Sequence, residues 1–130
     1  MYNDLVKTEE KNNICIDFDG VIHNDYLGFH DGTLYGNIID GAKESIVKLS
    51  KSYKIIIFTA KAKPDRPLVN NKTGTELIWD WLKENEIDSY ISEVTSEKPR
   101  GLVYIDDKAI RFTDWTSTMN MFDNLYGETR

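Results

Sequence analysis

The chain has 130 residues, 40% of them hydrophobic and 29% charged, which is enough for one full core, too short for two ordinary domains and unlike a disordered chain. With Lys+Arg 16 against Asp+Glu 22 the net charge is −6, which argues against diffuse attraction to nucleic acid or to an anionic membrane and leaves room only for a local basic patch. A single domain spanning 1–130 is expected.

The opening segment MYNDLVKTEEKNN is polar and has no apolar signal core. Residues 14–18 then form a short apolar run with branched side chains, repeated in KIIIF at 54–58 and LVYI at 102–105; strands buried on both faces of a parallel sheet read this way. The lone cysteine, Cys15, lies inside the first run and reads as a small core residue. Between Gly20 and Gly36, aromatic residues alternate with Asp/Gly turn signals, which predicts a small two-stranded flap or irregular loop over about 20–37. Its His23, Tyr26, Phe29, His30 and Tyr35 either stack on a base or pack on the sheet.

A helix follows over about 40–50, with Asp40 as its cap and Ile39, Ala42, Ile46 and Leu49 at helical spacing. A second begins near Thr73, where Thr73 and Glu76 fit a capping box and Leu77, Ile78, Trp81 and Leu82 form an apolar stripe. A weaker pattern places a last helix over about 117–126. Strands alternating with helices give an α/β class: a three-layer, Rossmann-like sandwich around a mainly parallel sheet, helices on both faces. The longest apolar run, IIIF, is far too short to cross a bilayer, so no membrane partner and a cytoplasmic location are expected.

In open parallel sheets functional groups gather beyond the carboxyl ends of the strands. Asp17 and Asp19 close the first strand, Thr59 the second, Asp106 and Asp107 the last, and Lys98 lies just before that last strand. Any one of these is commonly a cap, a turn residue or a solvated loop charge. Several carboxylates at one edge, however, repel unless a cation is bound. Oxygen donors without His or Cys suit Mg²⁺ and disfavour zinc. Lys61, Lys63 and Arg66 in KAKPDRP form a basic patch beside that edge or are solvated loop charges.

In this order, the motifs resemble those of the haloacid dehalogenase superfamily, mostly phosphatases, over nearly the whole chain: ICIDFDGVI, IIIFT, Lys98 and LVYIDD. The resemblance implies an HAD-like fold and hydrolysis of a phosphate monoester by a Mg²⁺-dependent phosphatase, with Asp17 as nucleophile forming an aspartyl-phosphate and Asp19 as general acid. It implies Mg²⁺ held by Asp17, the Asp19 carbonyl and Asp106, Thr59 on a phosphoryl oxygen, Lys98 balancing charge and Asp107 orienting Lys98 or a metal-bound water. Ala60, Lys61 and Arg66 are the candidate substrate-binding residues; several resembling proteins, including phosphatase domains that trim polynucleotide ends, place Arg where Lys61 stands. An acid two positions after the nucleophile distinguishes phosphatases from dehalogenases in that family. Neither gap between the motifs is long enough for a cap domain. The open site then suits a large substrate, such as a nucleotide or nucleic-acid end, unless the flap or the second subunit of a homodimer covers it. Polynucleotide 3′-phosphatase or nucleotidase is the alternative refinement, and a receiver-like phospho-acceptor or non-catalytic binding module the alternative of another class.

Overall fold

The computed structural model describes residues 12–28, 30–97, 103–106 and 110–126, of which 103, 106, 110, 111 and 126 are described through their backbone. Strand β1 (Asn13–Asp17) is the axis of the sheet. It pairs in parallel with β2 (Lys54–Phe58) on one side and with β4 (Val103–Asp106) on the other. The short β3 (Glu93–Thr95) extends the β2 side and the two-residue β5 (Ile110–Arg111) the β4 side, giving the order β3-β2-β1-β4-β5. The chain leaves β1 first toward β2 and later returns to its other flank, so β1 borders the point where the order reverses, the place where such sheets open a crevice.

Helix α1 (Ala42–Ser50) joins β1 to β2, α2 (Gly74–Glu84) joins β2 to β3, and α3 (Trp115–Tyr126) follows β5. The register pairs Ile14 with Ile55 and Ile16 with Ile57, so these four side chains share one face. All three helices enter the apolar cluster built on them, through Ala42, Ile46 and Leu49, through Ile78, Trp81 and Leu82, and through Trp115 and Phe122. Lys43 reaches Glu86 just past α2, and Lys48 reaches Asp123 of α3, so α1 lies between the other two. Cys15 and Ile56, on the opposite face, are buried as well. Among the described residues, the helices joining and following the strands therefore lie on one face of the sheet, where helices over both faces were expected. The second helical layer of a three-layer sandwich is not among the described residues.

The helix ends show which local signals decided. The capping box is present: Glu76 N donates to Thr73 Oγ1 at 3.1 Å, and Thr73 N donates to Glu76 Oε1 at 2.9 Å. Asp40 does not cap α1. Gly41 takes that place at φ 87 with no side-chain cap, because a Cβ there would meet Trp115 Cβ at 2.8 Å; close packing on α3 displaced the local signal. Helix α3 starts two residues earlier than expected, where Asp114 Oδ1 accepts from Ser117 N at 2.8 Å.

The 20–37 segment is the irregular loop rather than a two-stranded flap: among the described residues it makes only isolated bridges, such as His23 with Ile38. Opposite it, Asn70 and Asn71 at φ 53 and 64 turn the chain between the bridged Val69 and Lys72, the backbone of a tight two-residue hairpin turn.

Candidate active site

A cleft of about 290 Å³ opens beyond the carboxyl ends of β1 and β2, lined by Asp17, Asp19, Asp25, Gly28, Thr59, Ala60, Lys61 and Arg66. Six of the residues singled out from sequence thus meet in one place. Asp17 ends β1, and its Oδ1 accepts from Phe18 N at 2.8 Å. The chain then turns sharply: the amides of Val21, Ile22 and His23 all donate to Phe18 O, and Gly20 takes φ 81. That tight turn leaves Asp19 lining the same cleft as Asp17.

Two donors hold Asp19. Lys61 Nζ lies 3.3 Å from its Oδ2, and His23 Nδ1 lies 2.9 Å from its Oδ1. Gly36 N donates to His23 Nε2 at 2.9 Å; an acceptor nitrogen there leaves the ring proton on Nδ1, which donates to Asp19. His23 is 0% exposed. Its ring stacks on Phe18 at 5.3 Å with planes 3° apart and meets Trp81 and Tyr35 edge-on. Trp81 Nε1 in turn donates to Gly36 O at 3.0 Å. The histidine is neither a base-stacking group nor mere packing; it is a buried prop under Asp19.

Thr59, 4% exposed, follows β2 and caps the 3-10 turn Ala60–Ala62: its Oγ1 accepts from Lys61 N at 3.2 Å. Its own proton is given to no acceptor among the described residues. Arg66 folds back so that Nη1 donates to Ala60 O at 3.4 Å. Helix α2 abuts this turn so closely that a Cβ on Gly74 would fall 1.8 Å from Lys61 O. Lys61 and Arg66 therefore both line the cleft, with one Lys61 donor engaged by Asp19 and Arg66 half-buried. Lys63 is exposed and does not line the cleft.

Asp106 ends β4, and since Ile16 pairs with Ile105, the next step of the register sets positions 17 and 106 side by side on adjoining strands, about 5 Å apart. Lys98, Asp107 and Phe29 lie outside the described residues. Among the described residues no three His, Cys, Asp or Glu side chains form a cluster able to cage a metal. Mg²⁺ does not require one, since it is commonly bound through one or two carboxylates plus water and substrate oxygens. The described backbone brings position 106 beside Asp17, and the Asp19 side chain is held by Lys61 and His23.

Sequence reading did not single out Asp25 and Gly28, which form the flap wall of the cleft, or the supporting role of His23. Asp25 follows no strand and carried no positional signal. The four-residue separation of His23 from Asp19 was visible, but a contact at that spacing depends on the turn at Gly20. Of the other flap aromatics, Tyr35 is partly buried and donates to Gly28 O at 2.6 Å, while Tyr26 is 70% exposed. No helix among the described residues is long and apolar enough to cross a membrane. Comparison with known protein families, with curated proteins and with solved structures finds no match to this chain.

Proposed function

We propose that this chain is a Mg²⁺-dependent phosphatase of the haloacid dehalogenase type, hydrolysing a phosphate monoester through an aspartyl-phosphate on Asp17. The observation that carries the reading is the convergence, at the carboxyl ends of two neighbouring parallel strands, of one carboxylate (Asp17), one hydroxyl with a proton to give (Thr59), two cations (Lys61 and Arg66) and a second carboxylate under restraint (Asp19). A phosphoryl group needs such a set: a nucleophile in line with phosphorus and donors around its equatorial oxygens.

An Asp17 carboxylate oxygen attacks phosphorus while the bond to the leaving oxygen breaks, and Asp19 gives that oxygen a proton. Water then attacks the same phosphorus, Asp19 takes its proton, and phosphate leaves with the Asp17 carboxylate regenerated. Asp17, the Asp19 carbonyl and Asp106 would hold Mg²⁺, as the resemblance implies, and when bound the ion would supply neutralisation of developing charge. The Lys61 ammonium has three donors, one on Asp19 and two for phosphoryl oxygens. As a dianionic phosphate draws Lys61 toward itself, Asp19 Oδ2 is freed to carry the proton, while His23 keeps the carboxyl aimed through Oδ1. Lys98 and Asp107 keep the charge-balancing and orienting roles that the resemblance gives them.

The exposed ring of Tyr26, between the cleft-lining Asp25 and Gly28, is the feature that favours a nucleotide or polynucleotide 3′-phosphate; the small, mostly aliphatic cavity beside the cleft favours a compact organic group instead. Turnover of p-nitrophenyl phosphate with Mg²⁺ present and absent tests the broader one. Hydrolysis is expected only with the metal, and Asp17→Asn is expected to reduce kcat on the order of 10⁴-fold; stable phosphorylation by acetyl phosphate without turnover would instead indicate a receiver-like module.

A further inference from the structure

Beside the acid cleft lies a second cavity of about 260 Å³, formed where the flap (Asp31, Gly32, Leu34) meets the 66–77 segment (Pro67, Leu68, Val69, Leu77). Both cavities are lined by Lys61 and Arg66, so the two cations form their common wall. The remaining lining is mostly aliphatic. Two features make it a built pocket. The tight turn at Asn70 and Asn71 projects Val69 against Gly32, where a Cβ would come within 2.7 Å of Val69 Cγ2, and the first turn of α2 closes the floor with Leu77. Leu68 is 60% exposed at the mouth, an apolar side chain without a core to join.

The charges of the lining are divided: Lys61 and Arg66 are shared with the acid cleft and Asp31 is not. Asp31 accepts from Thr33 N at 3.0 Å and from the Thr33 hydroxyl; these bonds, the hydroxyl first, hold its carboxyl below the usual range. A ligand with an anionic head and an apolar body is therefore oriented head toward Lys61 and Arg66, body among the leucines and away from Asp31. We infer that this cavity is the leaving-group subsite of the same centre and selects phosphate monoesters whose organic part is compact and apolar, about one ring in size. The inference rests on the phosphatase reading for the word leaving-group; the affinity for a ring does not. At about 260 Å³ the space lies just below the usual small-molecule range of roughly 300–1,000 Å³, so it holds one ring and not a polymer.

Phenylphosphonate and methylphosphonate, which have the anionic head but no bond to hydrolyse, separate the two parts. Titrated into methyl-labelled protein with Mg²⁺, phenylphosphonate is expected to bind at least about tenfold more tightly, since a methylene-sized difference in an apolar pocket is already worth roughly 10–200-fold. It should also shift the methyl resonances of Leu68, Val69 and Leu77. In Leu77→Trp, which fills the floor, and in Leu68→Ser, at an exposed position that leaves the fold intact, the ratio of the two affinities should fall toward one. Equal affinities in the wild type, no binding of either phosphonate, or a ratio unmoved by both variants overturns the subsite. Ring binding without turnover of phenyl phosphate would refute the phosphatase reading and leave the subsite standing. Turnover of phenyl phosphate together with equal affinities for the two phosphonates would do the reverse.

Discussion

Replacing His23 by Phe keeps a flat ring between Phe18 and Trp81 and removes only the two nitrogens. On one side the buried Gly36 N–H loses its acceptor at 2.9 Å; a buried donor left unpaired costs about 1–3 kcal/mol. On the other, Asp19 loses the Nδ1 donor at 2.9 Å. Hydrogen bonds to charged groups contribute about 1.5–3 kcal/mol, but the Asp19 side chain is 27% exposed, and water replaces part of that, which favours the lower figure. The ring contacts survive, so the sum is about 3 kcal/mol. With a urea m-value of about 1–3 kcal/mol/M for a chain of this size, the unfolding midpoint should fall by roughly 1–3 M. A double-mutant cycle with Asp19→Asn should return a coupling of about 1 kcal/mol or more. Equilibrium unfolding followed by circular dichroism measures both. A His23→Phe protein within about 0.5 kcal/mol of the parent, the range of inert surface changes, would refute the idea that both ring nitrogens are engaged.

Gly74→Ala is expected to push α2 off the Ala60–Ala62 turn, because the added carbon would fall 1.8 Å from Lys61 O; stability should drop by about 1–3 kcal/mol and kcat, measured alongside, should fall as Lys61 moves. Asp114 starts α3, and its carboxyl is held below the ordinary range chiefly by the Ser117 backbone N–H, then by the Ser117 hydroxyl. A carboxyl with a folded-state pKa below its unfolded value stabilises the fold above the unfolded value, about 3.9, and loses that contribution as the pH falls through the folded one. Asp114→Ala should therefore unfold at lower urea than the parent at neutral pH, and the gap should close in acid; a gap independent of pH would contradict this.

Elements whose burial is uniform were legible in the sequence. Residues Ile14 to Ile16 and Ile55 to Ile57 read as strands because a central parallel strand is covered on both sides, and Thr73 with Glu76 marked α2 because a capping box is a purely local device. What escaped depended on distant partners. Gly41 replaced Asp40 at the start of α1 because of Trp115, more than seventy positions away. The two-residue β5 is too short to leave a periodic pattern. In the site, Asp17, Asp19 and Thr59 could be read from their positions after apolar runs, whereas Asp25, Gly28 and the prop beneath Asp19 arise from how the flap folds back, which follows from Gly20 and Gly36 backbone geometry and not from any spacing.

On the phosphatase reading, Asp17 itself takes up the phosphoryl group. Acid quenching during turnover of an aryl phosphate with Mg²⁺, followed by borohydride reduction and peptide mass analysis, tests it most directly. Reduction of an acyl phosphate should convert position 17 to homoserine in the parent protein and leave Asp17→Asn unchanged. Sustained turnover with Asp17 unmodified, or with the modification on another carboxylate, would contradict the account.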